Sequence, residues 1–335
     1  MPAAMAATPQ NEPATPEAVA VLAERLAHLR AAIGAVIFGQ ENAVEQALIA
    51  LLAGGHALLV GMPGLGKTRL VETLGIVLGL GTRRVQFTPD LMPADILGSE
   101  VLEETEGRRG FRFLPGPVFC QLLMADEINR ASPRTQSALL QAMQEQRVAV
   151  AGIDHPLPRP FHVLATQNPI EQEGTYPLPE AQLDRFLLQI DLTYPDRAAE
   201  RAMLLATTFG EETVPTPVLD AAGLLAAQRL LRQVPVGEAV LEAILTLVRD
   251  ARPEESPLAD MRRHLAWGPG PRAAQALMLA CRARALLDGR LSPSLEDVAA
   301  LAPPVLRHRM ALNFAARADG IALDSLIGML VERLG

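Results

Sequence analysis

The sequence predicts an α/β domain with a parallel five-stranded sheet, followed by an all-α domain. Past Pro195 no further strand-like runs occur, and Ala/Leu-rich amphipathic segments continue to the end of the chain. Before that point, five short apolar runs alternate with helical or irregular stretches, which is typical of a parallel sheet covered by helices. The five runs are "HALLV" at 56–60, "RRVQF" at 83–87, "CQLLMA" at 120–125, "HVLAT" at 162–166 and "FLLQI" at 186–190.

The helices and loops around these runs divide the chain. Thr15 followed by Pro16 predicts a helix start, and the apolar spacing from Val19 to Ile33 has a helical period. A second amphipathic helix is predicted over 42–53, and two hairpins interrupt the rhythm at about 98–115 and 146–160. We therefore expect a disordered tail at 1–15, an α/β core at 16–207 and a helical domain at 208–335.

Length, charge and cysteine content exclude several classes of protein. The 335 residues suit two domains, and no window has the roughly 18 uninterrupted apolar residues that a membrane span needs. The net charge of −8 argues against a broad nucleic-acid-binding surface. Cys120 and Cys281 lie far apart without CxxC spacing, which favours reduced thiols in a cytosolic protein over a zinc site.

The segment "GMPGLGKT" at 61–68 matches the phosphate-binding pattern G-x-x-x-x-G-K-[ST], between a predicted strand and a predicted helix. Such a loop turns its backbone N–H groups inward at a helix N-terminus and so binds phosphate. Lys67 is expected to reach the β- and γ-phosphates, and the Thr68 hydroxyl to bind Mg²⁺. The residues expected to contact ATP here are Gly61, Pro63, Gly64, Leu65, Gly66, Lys67, Thr68 and Arg69.

Two further strand ends carry polar groups suited to phosphate chemistry. The run "CQLLMADEIN" ends in Asp126, a candidate Mg²⁺ ligand, and Glu127, a candidate base that orients the attacking water. The run "FHVLATQNP" ends in Asn168, whose neutral amide can bond both the γ-phosphate and the water. Because the carboxyl ends of parallel strands meet at one edge, these residues are expected to face the phosphate-binding loop.

Five motifs in this order resemble the AAA+ ATPases, and among them the MoxR group of the helix-2-insert branch. They are the phosphate-binding loop, "LLMADEINRA" at 122–131, "ATQNP" at 165–169, "LPEAQLDRF" at 178–186 and "WGPGPRA" at 267–273. The resemblance covers nearly the whole chain after the tail. It implies an ATP- and Mg²⁺-dependent ATPase that forms a ring, expected to be hexameric, and that remodels or matures a partner protein.

The resemblance also assigns roles to three arginines and to an adenine pocket. It implies that Arg185 reaches the γ-phosphate bound to a neighbouring subunit, with Arg130 as the rival for that role. Arg272 is expected to contact the phosphates of the bound nucleotide, although Gly270 stands where related chains often carry Ser. The stretch "VIFGQENAV" resembles the segment that lines the adenine pocket, with Ile37 and Gly39 as contacts.

The resemblance leaves the partner open. Such proteins resemble chaperones that help to insert metals or cofactors, often with a partner that bears a von Willebrand A domain. Of the two hairpins, the one around Glu103 to Phe113 is the first candidate for the client site, because Phe111 and Phe113 are flanked there by charged residues.

Two other functions remain open from the residues. A nucleic-acid motor of the helicase or branch-migration type shares this core, although the acidic charge weighs against it. A nucleotide-switched binding module that barely hydrolyses is the other, and Glu127, Asn168 and Arg185 together disfavour it.

Overall fold

The computed structural model describes residues 15–105, 108–170, 174–209 and 213–334. The predicted tail therefore lies outside the described residues except for Thr15, and so do Glu106 and Gly107 at the turn of the first hairpin. Thr15 accepts a hydrogen bond from the Ala18 N–H at 3.3 Å and begins the first helix, as its sequence predicts.

Five parallel strands form the central sheet, in the spatial order β2-β5-β8-β1-β9. The five apolar runs supply these strands, so the predicted fold class is confirmed. β2 lies at one edge of the sheet, and its first three residues are all exposed, whereas all five residues of β5 are buried. The strands of the described chain are β1 Ala57–Val60, β2 Thr82–Gln86, β3 Gly98–Thr105, β4 Arg108–Pro115, β5 Leu122–Asp126, β6 Arg147–Val150, β7 Ile153–Pro156, β8 His162–Gln167, β9 Leu188–Asp191, β10 Leu265–Trp267 and β11 Ala311–Leu312.

Helices cover both faces of the sheet and make up most of the C-terminal part. Two short 3-10 helices, Ile128–Arg130 and Arg307–Arg309, complete the set. The α-helices are α1 Pro16–Gly34, α2 Glu41–Leu52, α3 Lys67–Val77, α4 Pro93–Leu97, α5 Pro133–Glu145, α6 Glu180–Leu183, α7 Arg197–Thr208, α8 Ala221–Gln233, α9 Glu238–Asp250, α10 Ala259–His264, α11 Pro271–Leu287, α12 Leu295–Leu306, α13 Phe314–Ala318 and α14 Leu323–Glu332.

The two insert segments form antiparallel hairpins, β3–β4 and β6–β7. Phe113 on β4 stacks on His155 of β7, with ring centroids 3.9 Å apart. It also meets Phe119 edge-on at 5.4 Å. Of the two phenylalanines in the candidate client site, Phe113 therefore packs between the two hairpins. Phe111 is 73% exposed, and Leu102, its partner on the opposite strand, is 60% exposed.

The C-terminal part from α8 to α14, residues 221–332, which we call the lid, shares a hydrophobic core with the rest of the molecule. Buried side chains of α8, α9, α11, α12 and α14 are continuous with those of α1, α2, α3 and one face of the sheet. The other face packs on α4, α5 and the short Ile128–Arg130 helix. One detail was not predicted: the lid contains a short antiparallel pair, β10 with β11.

The described helices include none that is long and apolar enough to cross a membrane. Cys120 and Cys281 are both buried and free, and burial raises the pKa of each thiol to about 12.

Candidate nucleotide site

The phosphate-binding loop connects β1 to α3, as predicted. Gly66 has φ +76° immediately before α3, a left-handed conformation that favours glycine. Lys67 then begins the helix, and its ammonium donates to the carbonyl oxygens of Gly61 and Met62 at the start of the loop. The loop thus curls around its own lysine and directs the first-turn N–H groups of α3 outward.

A cavity of about 660 Å³ adjoins this loop. Its lining includes the Ala35–Phe38 segment after α1, Pro63 to Gly66 with Arg69, the stretch after β9 with Leu192, Tyr194 and Pro195, and the face of α7 that carries Met203 and Leu204. α7 has no buried residue, so its apolar face is available to the cavity. The size and the largely apolar lining suit a small-molecule ligand with a flat, weakly polar part.

The two residues expected at the adenine pocket differ in position. Ile37 lines the cavity, whereas Gly39 does not. Gly39 has φ +67°, and a Cβ there would lie 2.6 Å from side-chain atoms of Pro195 and of Ala199 on α7. Gly39 therefore allows the loop after α1 to approach the start of α7. Both of these segments line the cavity, although Gly39 itself does not.

Asp126 and Glu127 lie at the carboxyl end of β5. The Asp126 carboxylate accepts hydrogen bonds from the Thr166 hydroxyl on β8 and from Arg84 on β2, the latter at 2.6 and 3.1 Å. Glu127 follows with φ 55°, a strained conformation for a non-glycine residue. Its N–H donates to the Thr166 hydroxyl at 2.9 Å, so Thr166 fixes both acidic residues.

The Glu127 carboxylate lies within a small polar network. Its Oε2 accepts from the Gln86 amide at 2.7 Å and from Arg130 at 3.2 Å. Gln86 in turn accepts from Arg84 at 3.0 Å. The edge strand β2 therefore contacts both acids, one through Arg84 and the other through Gln86.

Asn168 follows β8 and is 4% exposed. Its amide oxygen accepts from the Ile170 N–H at 3.2 Å, which holds the turn after the strand. β8 lies between β5 and β1, and the Gly61 N–H donates to the Gln167 carbonyl at 3.2 Å. Asn168 is therefore adjacent in the sheet to both the phosphate-binding loop and the acidic pair.

The donor chemistry at this edge fits Mg²⁺. Thr68 and Asp126 offer a hydroxyl and a carboxylate, the hard oxygen ligands that Mg²⁺ prefers. Asp126 is the last residue of β5, Thr68 follows the loop after β1, and β8 lies between these two strands. Asp126 is 8% exposed, and its carboxylate is fixed on one side by Thr166.

Arg185 and Arg272 do not lie beside the phosphate-binding loop. Both line a second cavity together with Gly55, His56 and Asp184, and no residue of the phosphate-binding loop is among its described lining residues. Gly55 precedes β1 and Arg185 precedes β9, and these two strands run parallel with Ala57 opposite Leu188. The second cavity is therefore at the amino edge of the sheet, opposite the edge that carries the phosphate-binding loop.

Contacts within the chain already involve these arginines. Arg185 donates to the Leu140 carbonyl, and its buried Nε has no partner among the described residues. Arg272 lies 3.8 Å from the Asp184 carboxylate. Because Arg272 is at the amino edge, this structure does not bring it to the phosphate-binding loop of its own chain.

Sequence reasoning missed Arg84, Gln86, Thr166 and the α7 wall. One available signal was the strand "TRRVQ", which is polar at four of five positions although it follows an apolar helix. The amphipathic spacing of α7 identified a helix, but it did not show that the apolar face borders a cavity.

The comparisons agree with this architecture. The model of the "ATPase family associated with various cellular activities (AAA)" matches residues 56–188, and an AAA lid domain model matches residues 259–327. A crystal structure of a protein from Cytophaga hutchinsonii, described as a candidate ATPase, superposes with a TM-score of 0.87 at 36% identity. The match covers 94% of this chain and 96% of that one.

Curated relatives are similar over most of their length. Chaperone MoxR1 of Mycobacterium tuberculosis is 39% identical over 99% of this chain and 88% of its own. The uncharacterized protein YeaC of Bacillus subtilis is 40% identical over 88% and 89%. Protein MoxR of Methylorubrum extorquens is 32% identical over 84% and 86%. With the five motifs, the parallel sheet and the lid in agreement, the chain belongs to the MoxR family of AAA+ ATPases.

Proposed function

We propose that this chain binds ATP with Mg²⁺ in the 660 Å³ cavity and hydrolyses it to ADP and phosphate. The observation that carries the proposal is the meeting of three groups at neighbouring strand ends. The phosphate-binding loop follows β1, Asn168 follows β8, and the acidic pair follows β5. These are the groups needed to bind a triphosphate, position a water and activate it.

Each group has a distinct proposed role. Lys67 and the N–H groups of the loop hold the β- and γ-phosphates, and Thr68 and Asp126 hold Mg²⁺, which neutralises charge on the phosphates. Glu127 accepts a proton from the water that attacks the γ-phosphorus. The strained backbone, and the hydrogen bond that the Glu127 N–H donates to the Thr166 hydroxyl, hold Glu127 at the edge of the sheet. Asn168 donates through its amide to the γ-phosphate.

The base and ribose of ATP would occupy the apolar part of the cavity. Ile37 from the segment after α1 and Met203 and Leu204 from α7 provide surfaces that pack on a flat ring. Gly39 supports this arrangement through its close approach to α7.

We propose that Arg185 and Arg272 act on the nucleotide of a neighbouring subunit. Both lie at the amino edge of the sheet, so their own phosphate-binding loop is out of reach. A guanidinium in a dry interface stabilises charge on a transferring phosphoryl group. Arg130 is a weaker candidate, because it follows β5 at the carboxyl edge and pairs at 3.2 Å with Glu127, the proposed base of its own chain. A site that needs a neighbour implies a closed ring, expected to be a hexamer.

The biological role we propose is chaperone-like remodelling or maturation of a client protein in the cytoplasm. The relative named Chaperone MoxR1 supports the general role. A client with a von Willebrand A domain, and insertion of a metal or cofactor, are the finer forms of this proposal. Nucleic acid is not an expected partner, since the net charge is −8.

Two substitutions test the assignment of roles. Lys67→Ala should abolish binding of a fluorescent ATP analogue, because it removes phosphate contacts. Glu127→Gln should leave the dissociation constant nearly unchanged and reduce turnover by about a hundredfold or more, since it removes only the base. Glu24→Gln, an exposed change on α1, is the matched control.

Equal loss of binding in both variants would contradict the separate roles of Lys67 and Glu127. Turnover is measured with and without duplex DNA, and a DNA-stimulated, salt-sensitive rate would contradict the protein-remodelling role.

A further inference from the structure

Arg309 is a buried arginine in the lid, and four of its five hydrogen bonds go to residues 184–187 beside Arg185. Its side chain is 3% exposed, and its five N–H donors have partners. Nε donates to the Asp184 carboxylate at 2.7 Å. Nη1 donates to the carbonyls of Leu187 at 3.1 Å and of Val305 at 2.7 Å. Nη2 donates to the carbonyls of Asp184 at 3.3 Å and of Phe186 at 2.6 Å.

These contacts lie on both sides of Arg185. The carbonyls of residues 184, 186 and 187 all accept from one rigid, planar guanidinium. A segment held at three carbonyls by one plane cannot rotate about Arg185 without breaking several bonds. Arg309 therefore restrains the backbone on both sides of Arg185.

The neighbours of Arg309 bind the same segment from the same turn of the lid. His308 Nε2 lies 3.0 Å from the Phe186 carbonyl. Arg307 donates to Asp191 at 2.8 Å, at the far end of β9, and also to Asp324 in the lid. The lid is thus connected to the stretch from Asp184 to Asp191 by three consecutive side chains.

Asp184 extends this connection to Arg272, the other arginine at the amino edge of the sheet. One of its carboxylate oxygens accepts from Arg309, and the other lies 3.8 Å from Arg272. Arg272 lies in the first turn of α11 in the lid, whereas Asp184 and Arg185 belong to the core. A displacement of the lid relative to the core would therefore move Arg272 and the Arg185 backbone together.

We propose that Arg309 is a positioning residue for the arginine face of the subunit. It holds the Asp184–Leu187 backbone and the Asp184 carboxylate, so that Arg185 and Arg272 are presented together to the nucleotide of the neighbouring subunit. Lid position and arginine placement are coupled through this contact. The inference rests on the proposed action of Arg185 across the subunit boundary.

The test compares two identical substitutions on one turn. Arg309→Lys keeps a positive charge for Asp184 and loses the planar set of donors. Arg307→Lys makes the same change two residues away and leaves the Asp184–Leu187 carbonyls untouched. We expect Arg309→Lys to lower turnover at saturating ATP by about tenfold or more, because small displacements of a catalytic group have effects of that size. The dissociation constant for the ATP analogue should change less than twofold relative to Arg307→Lys.

Mixed assemblies distinguish misplacement of the arginine side chains from general damage to the variant chain. A chain with Arg309→Lys keeps an intact nucleotide pocket, and a Lys67→Ala chain keeps an intact arginine face. Assemblies purified through a tag on each chain should therefore regain turnover, as should the reference mixture of Arg185→Ala with Lys67→Ala. If Arg309→Lys does not fold, as judged by its melting temperature, Asp184→Asn takes its place in the same comparison.

Recovery in the reference mixture without recovery for the Arg309 or Asp184 variant would overturn this inference alone. Turnover of Arg309→Lys equal to that of Arg307→Lys would also overturn it. Wild-type turnover of Arg185→Ala, or no recovery in the verified reference mixture, would overturn the action of Arg185 across the boundary as well.

Discussion

Arg84 occupies a position at the candidate Mg²⁺ site that its sequence context did not indicate. It lies on the edge strand β2 and donates twice to one oxygen of Asp126, while half of its side chain is exposed. An ion pair between a buried carboxylate and a half-exposed guanidinium is weak evidence for stability. Its positive charge does, however, oppose the approach of a second cation to the same carboxylate.

Arg84→Met should therefore lower the Mg²⁺ concentration needed for half-maximal ATP turnover, by roughly threefold to tenfold. The measurement is a Mg²⁺ titration of turnover at saturating ATP. Arg83→Met is the matched control, since neighbouring strand residues point to opposite faces of the sheet. A higher Mg²⁺ requirement in Arg84→Met would show that Arg84 assists the bound cation instead.

His56 and His162 form a buried neutral pair at the amino edge of the sheet. The His162 Nδ1–H donates to the Gly55 carbonyl at 2.8 Å, and His56 Nδ1 accepts from the Val163 N–H at 2.9 Å. Burial lowers the pKa of His56 to about 3 and that of His162 to about 4. Since an unfolded histidine titrates near 6.5, the unfolded state binds more protons between these values.

The free energy of unfolding should fall as pH decreases below 6.5, and this contribution should be fully present above that pH. At pH 5.5 each of the two histidines should cost about 1.4 kcal/mol, which urea unfolding at pH 7.5 and 5.5 would measure. The double variant His56→Gln with His162→Gln should weaken the dependence; His308, whose pKa burial also lowers, should retain part of it. An unchanged slope in the double variant would contradict this origin.

At the scale of elements, the β3–β4 hairpin separates a structural aromatic from an exposed one. Phe113 stacks on His155 and joins the two hairpins. Phe111 and Leu102 face each other across the strands and are 73% and 60% exposed. The charged residues beside them are paired, Glu103 with Arg112 at 2.9 Å and Glu104 with Arg109 at 3.1 Å. The pair of Phe111 and Leu102 is therefore the part of the hairpin suited to hold a client.

Leu102→Ser combined with Phe111→Ser should leave basal ATP turnover within about twofold, because exposed changes rarely affect stability. The same double substitution should remove client-stimulated turnover, because it removes the exposed apolar surface that would hold the client. Val21→Ser, an exposed apolar residue on α1, is the control. Phe113→Ala should instead lower the melting temperature, because it removes the ring that packs between the hairpins. Client stimulation that survives the double substitution would direct attention to the β6–β7 hairpin, where Ile153 is exposed.

At the scale of the whole molecule, the nucleotide site and the arginine face lie at opposite edges of one sheet. The lid packs on α1, α2 and the sheet in a single continuous core, so packed side chains connect the two edges within one chain. If Arg185 acts on the nucleotide of a neighbour, as proposed, a catalytic site is complete only with a second copy. Activity should then depend on assembly.

ATP turnover per chain should fall when the protein is diluted over about three decades of concentration through its assembly transition. Mass photometry at each concentration reports the assembled fraction, which should follow the turnover. Arg185→Ala should show low turnover per chain throughout, even where it is fully assembled. Turnover per chain that stays constant while the assembly dissociates would show that each chain carries a complete site.

The sequence by itself determined the order of elements and the nucleotide-binding side of the sheet. Strand length, apolar runs and the glycine-rich loop depend on neighbouring residues, so β1, β5, β8 and the cap at Thr15 could be predicted locally. Asp126, Glu127 and Asn168 could be grouped in advance, because carboxyl ends of parallel strands meet at one edge.

Only the tertiary structure decided which distant side chains meet. Arg84 and Asp126 lie 42 residues apart, and Arg309 and Asp184 lie 125 apart. Their contacts depend on strand order and on the packing of the lid, which no local pattern encodes. The same holds for Phe113, whose burial depends on a second hairpin, and for Arg272, whose edge of the sheet is set by where α11 packs. A motif identifies the chemistry of a residue, and the packing of the chain decides which other residues that side chain contacts.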